Sequence, residues 1–106
     1  MKNKSRRYEV LLPVRFNDGR DVPDKVLGEA VNEVVAQFGA VSFHKQAVEG
    51  HWRHEETLFR DDLALLVVDL PDTAKNRKWM KAYKGRWKER LSQLEIWMVS
   101  YPIEIE

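Results

Sequence analysis

Three features of the sequence predict an α+β fold with the element order β-α-β-β-α-β. Two stretches space their apolar residues by threes and fours, as helices do, and four others alternate or run in β-favouring residues. Clusters of glycine, proline and aspartate separate them. At 106 residues the chain has the length of one domain. A chain of this size buries roughly two-thirds of its unfolded surface and needs no disulfide or metal to fold. Its lack of cysteine excludes disulfides, thiolate catalysis and the usual zinc-ribbon patterns, and fits a reducing compartment.

Residues 1–7, MKNKSRR, are polar and basic and read as a disordered lead-in to a single domain over residues 8–106. In YEVLLPVRF, Tyr8, Val10, Leu12, Val14 and Phe16 share one face at the period of two expected of a strand. Pro13 lies on the other face, lacks a ladder donor, and implies a bulge or an unpaired side. NDGRDVPD is loop chemistry, with Asp18-Gly19 as turn signal and Pro23 suited to a first helical turn.

From Asp24 the apolar positions Val26, Leu27, Ala30, Val31, Val34, Val35 and Phe38 define one helix face. The valines each cost some tenths of a kcal/mol in propensity, which the periodicity outweighs. Gly39 then stands where a left-handed cap ends the helix. AVSFHKQAVEGHWRH and TLFRDDLALLVVDL read as an antiparallel hairpin with its tip near Glu55 and Glu56. Pro71-Asp72-Thr73 closes the second of these strands, and Asp72 is the expected cap of a second helix. That helix carries Trp79, Met80, Tyr83, Trp87 and Leu91 in steps of three and four, with Gly85 interrupting it, most simply for close packing. LEIWMVSYPIEI is the last strand, with Pro102 at an edge or at the end of pairing. This order is the ferredoxin-like plan: a four-stranded antiparallel sheet with two helices on one face.

Helices on one side leave the other side of the sheet open, and here that side is not polar. Ala64, Leu66 and Val68 alternate with Leu63, Leu65 and Val67, and Leu94, Ile96 and Met98 alternate with Trp97, Val99 and Tyr101. Strands apolar on both faces are usually covered on both. The expected cover is a second copy of the chain in a homodimer. The basic N-terminal residues resemble a secretory n-region, but the apolar run from Val10 to Val14 contains Pro13 and stops at Arg15, too short for an h-region. No run reaches the eighteen or so residues of a membrane span, so a cytoplasmic protein with no membrane partner is expected.

Within GHWRHEETLFRDD, His51 and His54 are three residues apart, an offset that separates them onto opposite faces of a strand. No metal is therefore expected there, and the stretch reads as a polar hairpin end with Trp52 and Phe59 packing across it. Glu55, Glu56, Asp61 and Asp62 lack the burial that tunes an acid–base pair; Asp62 is better placed to pair with Arg60 or the second helix.

Between Asp72 and Leu91 stand eight basic and two acidic residues, a local charge of +6 in a chain of net +1. Lys75, Lys78, Lys81, Lys84, Arg86 and Lys88 are the candidate nucleic-acid contacts, suited to phosphates in a salt-sensitive way. An RNA-recognition module of the same strand order stacks bases on aromatics of its two central strands. Only Phe59 is available near the start of the third strand, which argues against that module. On the open face Arg15, His44, Trp97 and Tyr101 are the candidate small-ligand residues, with Arg15 for an anion and His44 as a proton shuttle. No P-loop, dinucleotide fingerprint, nucleophile elbow or HExxH occurs, and no cofactor is expected.

YEVLLPVRFNDGRDVP, GHWRHEETLFRDDLALLVVDLPDT and EIWMVSYPIEI together resemble a group of short uncharacterised bacterial proteins, a resemblance that carries no activity with it. The architecture also looks like the dimeric α+β barrel superfamily, whose monooxygenases, haem-degrading enzymes and ligand-binding domains give no residue-level transfer on fold alone. The expected function is a non-enzymatic binding or interaction protein that dimerises through its open face. The alternatives are a small cofactor-poor enzyme or ligand sensor with a pocket under the sheet, and nucleic-acid binding through the second helix.

Overall fold

The computed structural model describes residues 4–106. The chain runs β1 (Ser5–Pro13), α1 (Asp24–Phe38), β2 (Ser42–His54), β3 (Thr57–Pro71), α2 (Ala74–Arg90) and β4 (Met98–Ile103). The sheet order is β2-β3-β1-β4 with antiparallel neighbours throughout. This is the ferredoxin-like arrangement that the apolar patterning predicts. No helix among the described residues is long and apolar enough to cross a membrane.

The core lies between the helices and the side chains at every second position of the central strands. Val10, Leu12, Ala64 and Leu66 are wholly buried there, and each buried valine or leucine contributes about 1.5–3 kcal/mol relative to exposure. Register ties these positions together: Val10 is opposite Leu66, and Leu66 is opposite Phe43. From α1, Leu27, Ala30 and Val34 enter the core, and Gly39 ends the helix at φ 89 with its N–H on the Val35 carbonyl at 2.7 Å. From α2, Met80, Tyr83 and Trp87 enter it. Trp79 meets Phe38 of α1 edge-on at 5.1 Å and stacks on Tyr83 at 5.5 Å, so the aromatic stripe of α2 is core.

Several local expectations are corrected. β1 begins at Ser5, three residues before the alternation starts at Tyr8. Arg6 and Arg7 thus belong to the strand, paired with Asp72 at 3.2 Å and Asp69 at 2.7 Å; of the expected lead-in, residues 1–3 lie outside the described residues. Thr73, not Asp72, caps α2, its hydroxyl accepting from the Asn76 N–H at 3.1 Å. Asp72 sits one residue too early and instead takes both guanidinium arms of Arg77, at 2.7 and 3.0 Å. Gly85 makes no close approach: a methyl group there meets nothing within 4 Å. The last strand starts only at Met98, and Leu94 is left 55% exposed in the connection before it.

The hairpin tip falls where expected, at Glu55 and Glu56 between β2 and β3. Glu55 adopts φ 58, the left-handed conformation that a two-residue hairpin loop demands and that glycine or asparagine usually supplies.

Candidate functional site: the open sheet face

Because Cα partners on antiparallel strands share a face, the register lays out the side of the sheet away from the helices row by row. His44 of β2 is opposite Leu65 of β3, and Leu65 opposite Leu11 of β1. The Leu11 N–H donates to the Trp97 carbonyl at 2.9 Å, which extends the row to the other edge. The next row holds Ser42, Val67, Glu9 and Val99, and the row beyond it Asp69, Arg7 and Tyr101. Leu11, Leu63, Leu65, Val67 and Val99 are half-buried on this face, and Trp97 is 63% exposed. The same strands bury Leu12, Leu66 and Val68 under the helices. The two-sided apolar character of LALLVV is therefore real, and one of its sides lacks a cover within the described chain.

One end of this face is polar and internally paired. Arg7 donates both guanidinium arms to Asp69 at 2.7 and 2.9 Å, a bidentate cross-strand pair. The Asp69 carboxylate raises the Arg7 pKa further above its already high value. Tyr101 donates its hydroxyl to Glu9, and that hydrogen bond raises the tyrosine's pKa.

At the other end β2 and β3 continue as a hairpin arm. Trp52 stacks on Phe59 with centroids 4.5 Å apart and an angle of 17°, while its indole N–H donates to Asp61 at 2.6 Å. On the opposite face of the arm His51 Nε2 lies 2.9 Å from Glu49, which also takes Arg60 at 2.8 Å. Hydrogen bonds from Arg60 first and His51 second hold the Glu49 carboxyl below its usual range. His54 lies on the Trp52 side, 6.3 Å from that indole. The offset of three does separate the two histidines, and among the described residues no three His, Asp or Glu side chains gather as metal ligands would.

The arm and the connection that leads into β4 border a hollow of about 270 Å³, lined among others by Leu11, Leu63, Trp52, Trp97, Asp61 and Glu95. Gly50 contributes backbone to its floor, where a Cβ would stand 2.9 Å from the Leu63 methyl.

The four ligand candidates read from the sequence do not line one depression. Trp97 belongs to this hollow. Arg15 lines another, beside Phe59 and Asp62, and is held by Asp62 at 2.6 Å and Asp21 at 3.4 Å. His44 and Tyr101 sit on opposite edge strands and two rows apart, about 14 Å across the sheet and as far again along it, which makes about 20 Å in all. Strand parity puts residues on a face but says nothing of which edge a strand occupies. Gly50 and Asp61 were legible in principle, since a two-residue loop at Glu55-Glu56 sets them opposite each other; Glu95, in an irregular connection, was not.

The basic helix is less free than its sequence suggests. Arg77 pairs with Asp72, Lys84 with Glu95 at 3.0 Å, Arg86 with Glu33 at 3.1 Å, and Arg90 with Glu29. Glu33 also accepts from the Trp87 indole at 3.1 Å. Two of the six candidate phosphate contacts, Lys84 and Arg86, are thus engaged with acids from elsewhere in the chain. Lys75, Lys78 and Lys81 are exposed and Lys88 half-buried, on one stripe of the helix.

No protein-family profile and no curated protein matches the chain. Solved structures do share its fold. CutA1 from Oryza sativa superposes with a TM-score of 0.67 at 12% identity, over 98% of this chain and 84% of that one. The divalent cation tolerance protein (CutA1) from Thermus thermophilus gives 0.65 at 15% identity, over 96% and 86%. A phage SAM lyase in complex with S-methyl-5′-thioadenosine gives 0.71 at 11% identity, over 99% and 93%. At these identities the likeness establishes one thing: the chain has the ferredoxin-like α+β fold of these proteins.

Proposed function

We propose that the protein is a non-enzymatic binding protein that pairs with a second copy of itself through the open sheet face. The observation that carries this reading is the contrast within β3: Leu63, Leu65 and Val67 are as apolar as Ala64, Leu66 and Val68, yet only the second set is covered. Apolar patches of this kind mark interaction surfaces. The face is about 20 Å wide over four strands and about 30 Å long over β1. That is of the order of the roughly 800 Å² per partner that a specific interface buries. Its polar end suits self-pairing too. A two-fold interface sets a patch against its own copy, and Arg7 already neutralises Asp69 within the chain.

Native mass spectrometry of the wild-type chain and of Leu65→Glu tests the reading. Leu65 lies between His44 and Leu11 on the open side, so a carboxylate there spares the helix-side core. A dimer for the wild type and a folded monomer for the variant are expected; a monomeric wild type overturns the proposal.

A small cofactor-poor enzyme or ligand sensor is the runner-up. The phage SAM lyase of like fold holds S-methyl-5′-thioadenosine, which supports the capacity of such a sheet for a small-molecule site. Arg15, His44, Trp97 and Tyr101 would then meet one ligand only with a second copy contributing some of them. Nucleic-acid binding rests on the stripe of Lys75, Lys78, Lys81 and Lys88; a salt-sensitive gel shift lost on Lys78→Glu supports it, and no retardation at low salt removes it.

A further inference from the structure

The hollow at the hairpin end of the open face has a chemistry of its own. Its walls are indoles. Trp52 is immobilised by its stack on Phe59 and by donation to Asp61, while Trp97 stands 63% exposed. Leu11 and Leu63 make an apolar floor, and Gly50 leaves the space into which the Leu63 methyl leans. The volume of about 270 Å³ lies just below the roughly 300 Å³ at which drug-sized sites begin, a size for one ring and a short chain.

Charge then selects the occupant. The lining includes two carboxylates, Asp61 and Glu95, and neither lysine nor arginine; its imidazole, that of His51, is engaged with Glu49 at 2.9 Å. Glu95 is shared with Lys84 at 3.0 Å, so Asp61 carries the selectivity. One of its oxygens takes the Trp52 indole N–H at 2.6 Å, which leaves the second to accept from a ligand. An indole face attracts a cation as well, most strongly where water is displaced. Aromatic walls, an apolar floor and a carboxylate with an open oxygen are complementary to an ammonium group on an apolar body, and repel a carboxylate or phosphate.

We propose that this hollow is a binding site for a small organic cation with an aromatic or apolar body, of the arylalkylammonium class. The site does not rest on the self-association reading: every group it uses comes from one chain, and it lies at the hairpin end of the face, so a second copy seated around Leu65 and Val67 has to leave it open.

The test titrates 2-phenylethylammonium and, as the anion of matching ring and reach, 3-phenylpropionate into the full chain by calorimetry at low salt. Subunit number is measured on the same samples. Saturable binding of one cation per chain is expected, with the anion weaker by about ten-fold or more. Trp97→Ala, at an exposed position, weakens the cation by about ten-fold, with an unchanged far-ultraviolet circular dichroism spectrum. Asp61→Asn keeps an acceptor for Trp52 and removes the preference for cation over anion. Absence of saturable cation binding, equal binding of the anion, or indifference to Trp97→Ala overturns the site. A change of subunit number in Trp97→Ala without any bound probe assigns the hollow to a second copy and overturns it equally. A monomer that binds the cation contradicts the self-association reading alone.

Discussion

The hydroxyl of Tyr83 in α2 donates to the carbonyl oxygen of Ala30 in α1 at 2.8 Å, a buried hydrogen bond across 53 residues of sequence. It ties together the two helices that cover the sheet. Removing it with Tyr83→Phe keeps the ring stacked on Trp79 and tilted against Trp87, and is expected to cost about 1 kcal/mol in urea unfolding. Burial raises the pKa of this hydroxyl well above the ordinary tyrosine value. A raised folded pKa means that the contribution is complete below the unfolded value of about 10 and declines as pH rises beyond it. Tyr83→Phe should therefore be less sensitive than the wild type to alkaline pH; equal sensitivity contradicts the assignment.

Asp72 titrates in the opposite sense. The hydrogen bonds from Arg77 first, and the guanidinium of Arg6 paired with it at 3.2 Å, hold its carboxyl at about 2. A depressed folded pKa gives a contribution that is present above the unfolded value of about 3.9 and is lost as pH falls toward the folded one. Thermal midpoints of the wild type should drop over that window, and those of Asp72→Asn should drop less. Parallel curves count against this pair as a source of acid sensitivity.

Gly85 lies inside α2 with open space around its Cα. Alanine there adds helix propensity without a clash. Gly85→Ala is expected to raise stability by about 1 kcal/mol in chemical denaturation. A loss of stability contradicts the open space around this position.

Glu55 holds a left-handed φ of 58 at the hairpin tip, a conformation costly to residues with a Cβ. Glu55→Gly should stabilise the fold by about 0.5 kcal/mol, net of the entropy that glycine loses on folding. Unchanged or lower stability contradicts the strain argument.

The fold was legible because its signals are local. The three- and four-residue spacing of Leu27, Ala30 and Val34, the left-handed stop at Gly39, and the alternation around Leu66 each fix one element. The site was legible only by face. Parity put Trp97 and Tyr101 on the open side, correctly with respect to the register, yet it could not tell that His44 stands on the opposite edge strand. Ion pairing was the least legible of all. Glu33 reaches Arg86, and Glu29 reaches Arg90, across more than fifty residues, so a helix that reads as uniformly basic is half neutralised once folded. The polar hairpin end was legible from its offset of three: His51 finds Glu49 two residues away, not His54.

Sedimentation equilibrium of the wild-type chain at micromolar concentration, beside Leu65→Glu, decides whether the open sheet face joins two copies. A two-subunit mass for the wild type and a one-subunit mass for the variant are predicted, because the open face around Leu11, Leu65 and Val67 is covered only by association. A wild type that sediments as a monomer throughout, or a variant that remains dimeric, contradicts the account.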